Sequence, residues 1–226
     1  MIKAVDKKTE KYLFNVLPES LVPFEATVRD GELTVEYFRK VKKAARQFYN
    51  RFKEYPFSDE AIEFIDSALK DEVEEWGYFT DNLREGHIVT FVANGFNDSL
   101  ILDSTRLIPS GEGYENLTEY ELEPLENGDV YCVTVLDGKI VSVCEPNASD
   151  AFIGAKEINV YTAPEYRGKG YAVSNVSAMI RYYHQREERV AYTSVADNTA
   201  SIKTAERCGL KKIAETFYYV CYKKED

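Results

Sequence analysis

The chain reads as a mixed helix-and-strand protein whose first third is helical and whose remainder alternates strands with helices. Three observations predict this. Apolar residues recur at helical spacing in two stretches before residue 80. The apolar period switches to that of a strand at His87. Beyond it, the β-rich run Ile158 to Thr162 ends at a proline, crosses a turn punctuated by Gly168 and Gly170, and opens into a helical pattern.

Taken in order, residues 1 to 30 are irregular, with Pro18, Pro23 and an Asp30-Gly31 turn. Thr34 is placed to cap a helix running to about Phe52, with Phe38, Val41, Ala45, Phe48 and Phe52 on one stripe. Tyr55-Pro56 ends it. Ser58-Asp59-Glu60 supplies an N-cap and an acidic first turn. The helix that follows carries Ile62, Ile65, Ala68, Leu69, Val73 and Trp76. Both stripes are core faces and not cofactor boxes. From His87, the runs 88–92 and 100–102 flank Asn94-Gly95, a hairpin signal. A polar stretch with Gly111, Gly113 and Asn116 is a loop. Runs 130–136 and 139–143 flank Asp137-Gly138, a two-residue hairpin turn. Asp150 to Gly154 leads into the strand at Ile158. The helix after the glycine turn buries Val173, Val176, Met179, Ile180 and Tyr183. A strand at 190–195, a short helix from Asn198, and strands at 211–214 and 217–222 complete the order.

Composition excludes several classes. A chain of 226 residues with 44% hydrophobic and 30% charged residues can bury a real core. A net charge of −11 argues against nucleic acid as a partner, since phosphate contacts need a basic surface. No apolar run approaches a membrane span, and Met1 to Lys8 are too charged for a signal peptide, so the expected compartment is the cytoplasm. The four cysteines show no Cys-x-x-Cys spacing and no histidine cluster, so neither a metal site nor a redox motif is expected. The Asp137-Gly138 turn puts Cys132 opposite Val143 and Cys144 on the other face, a geometry that disfavours a disulfide across that hairpin and leaves buried hydrophobes as the reading.

The chemistry concentrates at Val160-Tyr161-Thr162 and Arg167-Gly168-Lys169-Gly170-Tyr171-Ala172. A strand, a glycine turn and a helix start together hold phosphate well. The first N–H groups of the helix have no partner within it, its dipole favours negative charge, and glycine lets the backbone approach closely. Arg167 and Lys169 add positive charge. A Walker loop is excluded because Gly170, and not Ser or Thr, follows Lys169. A dinucleotide fingerprint fails because Val173 stands where a third small residue is needed, and Glu188 precedes the next strand where a ribose-binding acid should end it.

A second segment, Asp197-Asn198-Thr199-Ala200-Ser201 through Cys208-Gly209-Leu210, is a capped short helix with a glycine stop. The two segments together resemble the GNAT superfamily of acyl-CoA-dependent N-acyltransferases. Arg167, Gly170 and Ala172 meet its Arg-x-x-Gly-x-Ala signature, and Asn198, Ser201, Gly209 and Leu210 its Asn-x-x-Ser…Gly-Leu element. The likeness covers roughly the last hundred residues, and the first eighty match nothing. It implies a GNAT-like α+β or α/β fold: a mixed, mostly antiparallel sheet flanked by helices over 86–226, behind a helical N-terminal region at 1–85 of unassigned role.

The resemblance also implies acetyl-CoA as co-substrate, a primary amine, carried by a small molecule or a peptide, as acceptor and direct attack in a ternary complex. Composition and spacing add no metal, no nucleic acid and no membrane to that expectation. The pantetheine arm would pair with Ile158 to Thr162, with an oxyanion donor at the N–H of Val160 or Tyr161. An attacking amine must be neutral, so a base is needed. Glu157, on one strand face with Asn159 and Tyr161, is the leading candidate, and another carboxylate or an ordered water could serve instead. Asn198 and Ser201 would reach the coenzyme arm or only cap the helix. Many relatives place a tyrosine acid where this chain has Ala205, and neither His87 nor His184 has partner spacing. A non-catalytic acyl-CoA-binding or regulatory module is the alternative reading.

Overall fold

The computed structural model describes residues 1–5, 20–118, 120–147 and 154–224. Its strands and α-helices run β1 (Ile2–Val5), β2 (Leu21–Arg29), β3 (Glu32–Phe38), α1 (Lys42–Phe52), α2 (Asp59–Glu75), β4 (Tyr78–Phe79), β5 (His87–Val92), β6 (Thr105–Ile108), β7 (Glu115–Asn116), β8 (Tyr131–Leu136), β9 (Lys139–Pro146), β10 (Ala155–Thr162), α3 (Tyr171–His184), β11 (Arg189–Val195), α4 (Thr199–Arg207) and β12 (Lys211–Lys223). The chain divides into two compact units. One comprises residues 1–89, 195–197 and 213–226, and the other 90–194 and 198–212. The division does not follow the 85/86 boundary read from the sequence, because the end of β12 belongs with the N-terminal unit.

The N-terminal unit contains the two expected helices and also a sheet that the periodicity did not reveal. β2 and β3 form a hairpin around Asp30 (φ 51°) and Gly31 (φ 79°), the pair of positive φ angles that a tight hairpin turn demands. Thr34 therefore lies within β3 and caps nothing, and the helix starts eight residues later, at Lys42. β1 pairs with β3 in parallel, and β12 pairs with β2 in antiparallel register from Ala214↔Arg29 to Cys221↔Leu21. The two separate final strands expected from the sequence are one. The apolar faces of α1 and α2 cover this sheet: Phe24 packs edge-on to Phe48 with ring centroids 4.9 Å apart, and Ile65 and Leu69 are buried beside them. Ser58 caps α2 as expected, its hydroxyl accepting from the Ala61 N–H at 3.3 Å. Tyr219 donates to Asp66 at 2.9 Å and ties β12 to α2.

In the second unit the strand order is β11-β10-β9-β8-β6, with β7 beside β9. All these pairs are antiparallel except β10 with β11 and β7 with β9. The hairpin expected around Asn94-Gly95 does not form, since residues 98–100 make a short 3-10 turn instead of a strand. The Asp137-Gly138 hairpin does form, but with a shifted register. An irregularity between Thr134 and Val135 slips the pairing by one residue, so Cys132 stands opposite Cys144 and Val133 opposite Val143. All four cysteines are buried free thiols. The expected lead-in at Asp150 to Ile153 lies outside the described residues, as does Pro18.

Helix α3 packs on β8, β9 and β10 and brings a buried polar network with it. Asn175 accepts from Thr134 at 3.0 Å and donates to Ser142 at 3.1 Å. Ser142 in turn meets the Thr162 hydroxyl at 2.8 Å and donates to the Tyr161 carbonyl at 3.0 Å. Each buried polar group thus has a partner, which makes the network a fixed register for β10 and not a liability. Among the described residues, no helix is long and apolar enough to cross a membrane.

Candidate active site

β10 decides the site. Its pairing with β11 runs only from Ala155↔Arg189 to Ile158↔Tyr192, whereas its pairing with β9 continues to Thr162↔Ser142. The two parallel strands therefore part after Ile158. On the β9 side, the Glu157 carbonyl accepts from the Asn147 N–H at 2.8 Å and the Ala163 N–H donates to Val141 at 3.0 Å. Odd-numbered residues thus spend their backbone groups on β9, and even-numbered ones face the opening. The Val160 N–H and carbonyl point into the gap. Tyr161 points away from it, its carbonyl already accepting from Ser142. Of the two oxyanion donors the sequence left open, this geometry favours Val160.

The gap continues into the glycine turn. Gly168 and Gly170 hold φ of 76° and 87°, left-handed backbone that glycine adopts without strain. A Cβ at either position would meet nothing within 4 Å, so the space over the turn is open. Gly170 is the N-cap of α3, and the N–H groups of Tyr171, Ala172 and Val173 face outward from its first turn. One cavity is lined by Val160, Tyr161, Thr162, Arg167, Gly168, Gly170, Tyr171, Ala172 and Asn198. These are nine of the residues assigned from the sequence.

Three assigned residues stand outside that lining. The Lys169 ammonium lies 5.0 Å from the centre of the Tyr166 ring. Ser201 hydrogen bonds the Tyr192 hydroxyl at 2.7 Å, and burial pushes that phenol up to about 12. Glu157 is buried at 3% exposure and accepts from the Thr193 hydroxyl, which binds β10 to β11 one rung below the split. Arg167 does two things. Its Nε donates to the Thr162 carbonyl at 2.9 Å, and its guanidinium lies 5.5 Å from the Tyr161 ring centre. Asn198 caps α4, accepting from the Ser201 N–H at 3.0 Å, while also lining the cavity.

Two features escaped the sequence. Arg207, at the end of α4, lines the cavity and supplies it with a second cation besides Arg167. An exposed arginine at a helix C-terminus carries no sequence signal, because the dipole explains it there. The other is Glu145 on β9, the register partner of Asn159. Burial raises its carboxyl to about 7. The pairing of β9 with β10 sets it beside Asn159, on the strand that lines the cavity, though it is not itself among the lining residues. Among the described residues, no group of three His, Cys, Asp or Glu side chains could hold a metal.

Comparison with known proteins bears on the same segment. Residues 104–211, from the start of β6 to the first residue of β12, match the family model of the acetyltransferase (GNAT) domain. This segment, just under half of the chain, is similar to the GNAT acetyltransferase family. No curated protein sequence matches the chain. Among solved structures, a candidate GNAT acetyltransferase from Novosphingobium aromaticivorans is 19% identical with a TM-score of 0.49, over 66% of this chain and 69% of that one. A GCN5-related N-acetyltransferase-like protein from Streptococcus suis is 18% identical with a TM-score of 0.44, over 71% and 68%. A candidate acetyltransferase from Salmonella typhimurium, solved with its cofactor acetyl-CoA, is 19% identical with a TM-score of 0.34, over 44% and 67%. The matched segment holds the split strand, the glycine turn and α4, whereas β1 to α2 lie outside it.

Proposed function

We propose that the chain is an acetyl-CoA-dependent N-acetyltransferase that acts on a primary amine by direct attack in a ternary complex. The observation that carries this reading is the continuity of one groove, from the open backbone of Val160 to the glycine turn at the start of α3. A pantetheine arm is an amide chain that can pair as a β-strand, and a pyrophosphate suits a helix N-terminus. Arg167 and Arg207 flank the same groove and match the anionic end of the coenzyme.

Acetyl-CoA would supply an acetyl thioester, and this chain supplies the rest. The Val160 N–H is positioned for the oxygen on which negative charge grows, and a backbone donor of this kind costs no reorganisation. Arg167 occupies the Thr162 carbonyl and so leaves Val160 as the open pairing position. Asn198 serves as both helix cap and groove wall. Proton removal falls to a carboxylate on the face of β10 that carries Glu157, Asn159 and Tyr161. Two stand there: Glu157, the choice from sequence, and Glu145 across the β9–β10 rung. No side chain is assigned as acid, since a thiolate leaves readily.

Calorimetry with acetyl-CoA, followed by a thiol-release assay over a panel of amines, tests the reading. Binding with amine-dependent thiol release supports it. Binding without release would favour the non-catalytic acyl-CoA module, and absence of binding would remove both.

A further inference from the structure

Of the two carboxylates named for proton removal, Glu145 is the one the sequence did not single out. It sits on β9 directly across from Asn159, so its side chain falls on the face of β10 shared with Glu157 and Tyr161. Val160, whose N–H opens into the gap, is the next residue along from that rung. On its other side, Tyr131 lies one residue beyond the Cys132↔Cys144 rung. Tyr131 and Val143 are buried members of an apolar cluster, and the register of β8 with β9 sets both on the sheet face that carries Glu145, whose charge Tyr131 feels. Among the described residues, that carboxylate has no hydrogen bond or ion pair. Glu157, by contrast, is bonded to Thr193 and almost wholly buried. One carboxylate is held and the other is available.

We propose that Glu145 accepts the proton of the acceptor amine, and that Glu157 is a positioning residue which fastens β10 to β11 below the split. This rests on the N-acetyltransferase reading above. The step balances simply. The nitrogen lone pair forms the N–C bond, the C–S electron pair leaves on sulfur as thiolate, and the proton shed by nitrogen passes to Glu145. Solvent then takes that proton from Glu145 and returns one to the thiolate, giving amide and thiol.

The chemistry of the site fits the assignment. A base works best when its pKa lies near the operating pH, and burial against the Tyr131 patch places Glu145 at about 7. The titratable side chains on the same sheet face are Tyr131 from β8 and Glu157 and Tyr161 from β10. Tyr131 feels the Glu145 and Glu123 charges and is raised mainly by its own burial, so it stays neutral where Glu145 titrates. Its hydroxyl donates to the Glu123 carbonyl at 2.9 Å and is not spent on Glu145.

The test compares Glu145→Gln, Glu145→Asp and Glu157→Gln with wild type, measuring kcat and KM for amine and acetyl-CoA across pH 5 to 9. Wild type should show kcat/KM for the amine rising with pH through about 7. Glu145→Gln should lose about a hundredfold or more in kcat and lose that rising limb, with KM for acetyl-CoA little changed. Glu145→Asp keeps a carboxylate and should keep the limb. Glu157→Gln should lower the rate yet retain the limb. A limb that survives in Glu145→Gln, or disappears in Glu157→Gln alone, overturns the proposal and leaves the acetyltransferase reading standing. Wild type that binds acetyl-CoA and acetylates no amine overturns both.

Discussion

Ala205 and Glu145 show how the same fold makes one residue inert and another reactive. Ala205 sits where many GNAT relatives carry a tyrosine, and here it is fully buried. A tyrosine placed there has no room, so Ala205→Tyr should overpack the base of α4 at a cost of about 1–3 kcal/mol. Its thermal midpoint should fall and its thiol-release rate should not rise. A large rate gain would show that proton delivery to sulfur limits turnover. Glu145 has the opposite character, being half-buried with an elevated pKa. Its carboxyl is raised from 4.5 in the unfolded chain to about 7 in the fold. Between those values the unfolded state has shed the proton and the folded state still holds it, so stability should fall as pH rises from about 4.5 to about 7 and then level off. Denaturant titrations of wild type and Glu145→Gln over that window check this; the variant should lack the decline.

At the scale of elements, the β10-turn-α3 unit is where backbone and not side chains would do the binding. Gly170 at φ 87° and its open surroundings allow a controlled test. Gly170→Ala pays for the left-handed backbone, about 1 kcal/mol, but leaves the groove nearly clear. Gly170→Glu pays the same strain and adds bulk and negative charge where a phosphate would lie. Acetyl-CoA affinity measured by calorimetry should be retained within a few-fold in the first and largely lost in the second. Equal affinities in two folded variants would remove the pyrophosphate from this turn. The same strand explains the buried Asn175 network. Ser142 bonds both the Tyr161 carbonyl and the Thr162 hydroxyl, which holds the last two residues of β10 on β9 after β11 has left.

For the whole molecule, β12 links the end of the chain to its beginning. Phe217, Tyr219 and Cys221 are buried in the core formed by β2, β3, α1 and α2. Phe217→Ala should therefore cost about 3–5 kcal/mol, and the loss belongs to the N-terminal unit. Hydrogen exchange should show protection lost in β2, β3, α1 and α2, with α3 and β8 to β10 less affected. Uniform loss across both units would mean that they unfold as one. The excess of acid, −11 overall, favours a cationic acceptor over an anionic one by long-range attraction, an effect that added salt should weaken.

The local signals in the sequence determined the glycine turn, the α3 stripe, the Ser58 cap, the Asp137-Gly138 hairpin and the family likeness of residues 104–211. These are short-range features, written in neighbours within a few residues. Other features needed the tertiary structure because their causes are distant in sequence. β2 looked irregular because it opens on four consecutive buried residues with no alternation, whereas β3 does alternate, burying Leu33, Val35 and Tyr37, and the reading of Thr34 as a helix cap passed over that signal. The Cys132↔Cys144 rung depends on an irregularity at Thr134 that no local pattern announces. Glu145 and Glu157 are both glutamates on strands in the sequence. Their difference arises only because β11 leaves β10 after Ile158, where Thr193 holds one carboxylate while an apolar patch raises the pKa of the other.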